Sequence, residues 1–170
     1  MKVLISDKVD TGCVGILEEG GEISVDVNTD LSPDQLLEVI GDYDGLIVRS
    51  ATKVTRDVLD RATRLRAIGR AGAGVDNIDS QAATRRGVVV MNTPGGNSIS
   101  TAEHAVSMMM ALARNIPQAS HSVKGGKWDK SAFTGVEITG KTLGVFGIGQ
   151  VGREVARRAA ALGMRVLAYD

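Results

Sequence analysis

The 170-residue chain is 43% hydrophobic and only 3% aromatic, and its 20 basic and 20 acidic residues balance to zero net charge with no long like-charge block. Such a composition supports a folded core and argues against a disordered chain, a nucleic-acid binder or a base-stacking platform. A lone cysteine, Cys13, excludes an internal disulfide; no apolar run approaches ~18 residues and the N-terminus turns polar at Ser6 and Asp7, so a membrane span and a signal peptide are not expected and a cytoplasmic location is.

Residues 2–6 read as a buried strand, followed by a polar loop and a short helix over 14–19 that Gly20-Gly21 breaks. Residues 23–27 alternate as a second strand. Ser32-Pro33-Asp34-Gln35 combines a capping serine, a first-turn proline and a capping-box glutamine, which predicts a helix to about residue 40 with Leu36, Leu37 and Ile40 inward. The third strand, 45–48, carries Arg49 and Ser50 at its carboxyl end. A helix over 55–62, a fourth strand over 65–68 leading into Gly69-Arg70-Ala71-Gly72-Ala73-Gly74, a helix over 77–86 and a fifth strand over 88–91 complete the series. Strict alternation of strands and helices implies an α/β domain with a parallel sheet covered by helices on both faces.

Asn92-Thr93-Pro94-Gly95-Gly96-Asn97 then reads as a hinge. Ser100 and Glu103 have the spacing of a capping box for a long helix whose apolar residues (Ala102, Val106, Met109, Leu112, Ala113) predict burial between domains or subunits. Pro117 ends or kinks this helix, and Gly125-Gly126 closes the segment after the proline.

The most informative stretch comes last. Leu143-Gly144-Val145-Phe146 predicts a strand buried on both faces; Gly147-Ile148-Gly149-Gln150-Val151-Gly152 comes directly after it, then an amphipathic helix stopped by Gly163, then a strand over 165–169 that ends on Asp170. This is the G-x-G-x-x-G dinucleotide fingerprint in its strand–turn–helix setting, with the acid near the required spacing. Gly147 suits the tight turn, Gly149 lets a pyrophosphate approach the backbone, and Gly152 lets the helix lie against the strand. The first-turn N–H groups would face the phosphates. Asp170 can accept from both ribose hydroxyls and would repel a 2′-phosphate, which favours NAD over NADP.

Beyond the fingerprint, residues 45–54, 69–77 and 91–98, together with Lys127-Trp128 and residues 140–144, are similar to segments of the D-isomer-specific 2-hydroxyacid dehydrogenases, in particular to members that act on 3-phosphoglycerate in the phosphorylated serine pathway. The resemblance spans essentially the whole chain. It implies a flavodoxin-like parallel-sheet substrate domain over residues 1–97, followed by a linking helix and the start of a Rossmann NAD-binding domain over 98–170. It places Arg49, Ser50, Arg70, Asn97 and Lys130 at substrate positions, Lys130 toward a neighbouring subunit's substrate. Ala73, Gln150, Val151 and Asp170 join Gly147, Gly149 and Gly152 at cofactor positions. It further implies NAD as cofactor, 3-phosphoglycerate as substrate and a homodimer or higher homo-oligomer.

The family's catalytic arginine, glutamate and histidine correspond to positions past Asp170, so no residue of this chain is assigned a catalytic role and the chain by itself is expected to be inactive. His104 reads as a packed or hydrogen-bonded residue of the long helix, and His121 as solvated. No metal site is expected. Three rival readings stay open: a dehydrogenase of another D-2-hydroxy acid or of glyoxylate type, a non-catalytic NAD-sensing interaction protein of the same fold, and a truncated product that only pairs with a full-length subunit.

Overall fold

A computed structural model describes all 170 residues and divides them into two compact units, Met1–Gly96 and Asn97–Asp170. The first holds five strands, β1 (Lys2–Ile5), β2 (Ser24–Val27), β3 (Gly45–Val48), β4 (Ala67–Arg70) and β5 (Val89–Asn92). All pair in parallel in the order β2-β1-β3-β4-β5. The parallel α/β class expected from the alternation is therefore met. Chain direction across the sheet reverses between β1 and β3, and open sheets of this kind place their ligands outside the strand carboxyl ends at that switch.

The central strands are the most apolar because both of their faces are covered. Leu4, Ile5, Leu46, Val48 and Ile68 are all 1% exposed or less. They form the core with Leu36 and Ile40 around helix α2 (Pro33–Val39), Val58 and Leu59 of α3 (Arg56–Arg61), and Ala82 and Ala83 of α4 (Ser80–Arg85). Each large side chain so buried contributes about 1.5–3 kcal/mol. Helix α1 (Gly12–Glu18) buries none of its residues. The capping box at Ser32 forms: its hydroxyl accepts from Gln35 N, and the Gln35 side chain accepts from Ser32 N at 2.9 Å. The Thr55 hydroxyl and the Asp79 carboxylate cap α3 and α4 by accepting from Val58 N and Ala82 N.

Two boundaries near the strand carboxyl ends differ from expectation in a way that bears on the site. Strand β4 begins at Ala67 rather than Leu65, because Leu65 N closes a turn onto Ala62 O and Arg66 N bonds to Asp44 O before the ladder starts. Arg70 is thereby the last ladder residue, paired with Val48, rather than a loop residue. Helix α4 starts at Ser80 rather than Asn77, because residues 77–79 are held extended against Val54: Val54 N donates to Asn77 O and Asp79 N donates to Val54 O.

The second unit comprises α5 (Ser98–Ala113), α6 (Ile116–Lys124), β6 (Thr142–Phe146), α7 (Gln150–Ala161) and β7 (Arg165–Tyr169), with β6 and β7 paired in parallel. The Ser100–Glu103 capping box is not formed. Helix α5 starts three residues earlier with Asn97 as its cap position, the Ser100 hydroxyl donates to Asn97 O, and Glu103 pairs instead with Arg158 at 3.3 Å. Nor is α5 buried all round. Ala102 is enclosed where α5 packs on α7, whereas Ile99, Met108 and Leu112 stay 56%, 59% and 77% exposed. His104 also lies exposed rather than packed or hydrogen-bonded, and His121 is exposed as expected. Pro117 sits in the first turn of a new helix, α6, after Asn115 adopts the left-handed conformation at φ 52°.

Strand β6 is not covered on both faces. Leu143 and Val145 are half-buried toward α7, while Phe146 is 87% exposed on the other face beside Leu167 and Tyr169 of β7. No helix is long and apolar enough to cross a membrane.

Candidate functional site

At the carboxyl ends of β1 and β3 the chain builds a tight loop over residues 49–52. Its anchor is Asp7, one residue past Ser6 at the exit of β1 and only 4% exposed. The Asp7 carboxylate accepts from Arg49 N at 2.6 Å, from Thr52 N at 3.1 Å and from the Thr52 hydroxyl at 2.7 Å. Burial alone would raise the carboxyl pKa. The Thr52 hydroxyl and the backbone N–H groups of Arg49, Thr52 and Ala51 outweigh it and hold Asp7 below its ordinary value. A charged anchor is therefore stable in this buried place.

Arg49 is exposed and reaches Lys8 O at 3.3 Å. Ser50 stands at the crest of the loop, and neither its hydroxyl nor its backbone N–H engages a protein group. Arg70, at the end of the neighbouring strand, is largely enclosed, with 12% of its side chain exposed. Its Nε donates to Arg49 O at 2.9 Å, and its terminal nitrogen lies 3.2 Å from Asp76, whose own side chain is 82% exposed. Two guanidinium groups thus occupy adjacent strand ends, where each could bind an anion bidentately. Asn77 donates to Arg49 O at 2.9 Å and Thr52 O at 2.7 Å. Ala73 is exposed, its carbonyl taking a hydrogen bond from the Asn92 amide.

In the second unit, the glycine-rich turn has the shape that a dinucleotide requires. Gly147 leaves β6 at φ 93°, a conformation that favours glycine. A Cβ on Gly152 would overlap Gly147 O, so only glycine permits the turn and helix to touch. A Cβ on Gly149 would meet nothing within 4 Å, which leaves open space beside the backbone at the start of α7. No side chain caps this 12-residue helix, so its first-turn N–H groups and dipole are available to a phosphate. Asp170, at the end of β7, accepts from Ile148 N at 3.1 Å and is otherwise exposed. Gln150 accepts from the Ser98 hydroxyl at 3.2 Å, and Val151 is half-buried in the first turn. Asn97 and Lys130 are exposed in this unit, Lys130 lying 5.7 Å from the Trp128 ring centroid. No group of acidic, histidine or cysteine side chains is arranged to hold a metal.

Sequence reasoning missed Asp7 and Asn77. Asp7 looked like an ordinary polar residue ending a strand, and Asn77 like the start of a helix. The available signal was a carboxylate two residues past the apolar run Val3-Leu4-Ile5, where a parallel sheet gathers its polar contacts.

The model of the D-isomer specific 2-hydroxyacid dehydrogenase catalytic domain matches residues 3–164. The chain is 55% identical over 169 residues to the D-3-phosphoglycerate dehydrogenase of Rattus norvegicus and 52% identical over 170 to that of Methanocaldococcus jannaschii. It covers 99% and 100% of itself in these matches but 32% of either relative, so it spans about a third of their length. Among solved structures, it superimposes on an NAD+-bound 3-phosphoglycerate dehydrogenase of Entamoeba histolytica with a TM-score of 0.80 at 33% identity, over 100% of this chain and 54% of that one. On an NAD complex of a formate dehydrogenase from Staphylococcus aureus the TM-score is 0.87 at 27% identity, over 100% and 56%. Because the family model matches residues 3–164, nearly the whole of this chain, the chain belongs to the D-isomer specific 2-hydroxyacid dehydrogenases.

Proposed function

We propose that the chain supplies the anion-binding loop and the front of the cofactor cradle of an NAD-dependent D-3-phosphoglycerate dehydrogenase, which forms 3-phosphohydroxypyruvate in serine biosynthesis. The observation that carries the substrate is the placement of Arg49 and Arg70 at neighbouring strand ends beside the unpaired donors of Ser50. A substrate with a carboxylate and a phosphate needs two such positive groups. The 52–55% identity to D-3-phosphoglycerate dehydrogenases over the whole chain supports the same choice.

The residues present fit NAD. Gly147, Gly149 and Gly152 shape the turn, the first turn of α7 takes the pyrophosphate, and Asp170 holds the adenosine ribose. When bound, NAD supplies the hydride acceptor for C2 of the hydroxy acid. The chain's own contribution is to hold and orient: Arg49, Ser50 and Arg70 fix the anionic ends of the substrate, with Asn97 and Lys130 as further contacts and Ala73 toward the cofactor. No residue here is assigned to the transfer of the hydroxyl proton. The exposed apolar side of α5 that carries Met108 and Leu112 is the surface we assign to a second copy in a homodimer. One cysteine in 170 residues fits the reducing cytoplasm where we place the enzyme.

A second reading, a substrate with a single anionic group, is favoured by one observation: Arg70 already faces Asp76 and the Arg49 carbonyl. Initial rates of NADH formation by the full-length protein, with 3-phosphoglycerate compared against D-lactate and glycerate, separate the two. A kcat/KM for 3-phosphoglycerate no better than for the monoanions overturns the first reading, and no NADH formation with any of them overturns both.

A further inference from the structure

We propose that Asp7 and Asn77 are positioning residues for the substrate: together they clamp the 49–52 loop, one through its N–H groups and the other through its carbonyls, and so hold Arg49 and Ser50 ready for an anion. The inference rests on the reading of this loop as the substrate loop. The clamp is complementary at the backbone level. Asp7, an acceptor, takes the loop's N–H groups at Arg49 and Thr52; Asn77, a donor, takes its carbonyls at the same two residues. Both ends of the loop are thus held through both their N–H and their carbonyl groups. At the crest, neither the backbone N–H nor the hydroxyl of Ser50 has a protein partner.

The Asn77 amide has only one workable orientation. Exchanging its nitrogen and oxygen would set the oxygen 2.7 and 2.9 Å from two carbonyl oxygens, which repel it. In the orientation that holds the loop, Oδ1 is buried with no hydrogen-bond partner. An unpaired buried carbonyl is unfavourable to the fold. An asparagine that tolerates this in order to bond two loop carbonyls is better suited to fixing loop geometry than to stability. Asp7 has the same character, since a buried carboxylate is tolerated only with its donors in place. Arg70 adds a third contact, to Arg49 O, so the carbonyl that Asn77 holds also links the two arginines.

The test uses the full-length protein with Asn77→Ala and, as a milder variant that keeps one acceptor for Arg49 N, Asp7→Asn. Backbone amide exchange over residues 49–52 and the KM values for 3-phosphoglycerate and NAD are measured for each. The clamp predicts faster exchange at Arg49 and Thr52 and a 3-phosphoglycerate KM raised about 10- to 100-fold by the misplaced loop, with the NAD KM within about twofold of wild type. Should Asn77→Ala fail to fold, Asp7→Asn carries the same two readouts. Unchanged loop exchange, or both KM values rising together, overturns the inference. A wild-type protein that does not turn over 3-phosphoglycerate overturns the functional reading instead, and loop exchange then decides the clamp by itself.

Discussion

The Asp7 carboxylate lies 2.6 Å from the backbone nitrogen of Arg49, 42 positions further along the chain, and this bond ties the exit of β1 to the exit of β3. It also sets an acid limit. The folded pKa of Asp7 is held below its ordinary value of 3.8, so its stabilising contribution is fully present above 3.8 and lost as pH falls through the lower folded value. Asp7→Asn removes that dependence. The difference in melting temperature between wild type and Asp7→Asn should be constant above about pH 5 and shrink below about pH 4. A difference that grows on acidification would show that Asp7 is not held ionised.

The glycine turn separates fold from binding. Gly152→Ala drives a methyl group into Gly147 O and should destabilise the second unit by about 1–3 kcal/mol or unfold it. Gly149→Ala adds a methyl group in open space at φ −65°, so thermal melting should be unchanged while NAD binding weakens. Calorimetric titration with NAD beside a thermal melt distinguishes the two variants. Unchanged NAD affinity in Gly149→Ala would remove this turn from the cofactor site.

Asp170 is the residue we expect to discriminate between NAD and NADP. It presents a charge and hydrogen-bond acceptors where the adenosine ribose would lie. In the full-length enzyme, Asp170→Ala should narrow the preference for NAD over NADP by about tenfold, the effect of losing one charge-assisted hydrogen bond. Titration with both cofactors measures it, and an unaltered ratio would place the ribose elsewhere.

Arg70 and its exposed partner Asp76 should behave oppositely. Arg70→Ala removes a largely enclosed guanidinium and should weaken phosphoglycerate use by about 2–5 kcal/mol with little effect on NAD. Asp76→Ala leaves that guanidinium without its competing carboxylate, so substrate KM should stay level or fall. A raised KM in Asp76→Ala would mean that Asp76 orients Arg70 for the substrate.

For assembly, Met108→Asp is the informative change. Met108 is 59% exposed on α5, so a charge there should leave the protomer folded while disfavouring burial against a second copy. Sedimentation should show monomers. An unchanged dimer would place the interface off this face.

Much of this protein was readable from pattern. Val3-Leu4-Ile5 and Leu46-Ile47-Val48 announce strands covered on both faces, Ser32 to Gln35 announces a helix start, and residues 147–152 announce a phosphate turn, because each depends on periodicity or on chemistry within a few residues. The capping box expected at Ser100 failed for the same reason that short motifs often do. Helix α5 starts where Asn97 leaves the hinge, and Glu103 finds a better partner in Arg158, which is far away in sequence. Likewise the apolar composition of β6 suggested burial on both faces, whereas only Leu143 and Val145 have α7 above them.

By itself, then, the sequence determined the strand and helix alternation, the position of the dinucleotide turn and the presence of arginines at strand ends, all of which arise from local pattern. Only the tertiary structure decided which polar residues build the site. Asp7 reaches Arg49 across 42 positions, Asn77 reaches it across 28, and Arg70 across 21. Those contacts exist because parallel pairing brings the carboxyl ends of β1, β3 and β4 side by side, and a buried carboxylate or amide keeps its place only where the donors and acceptors that satisfy it have been gathered by the fold.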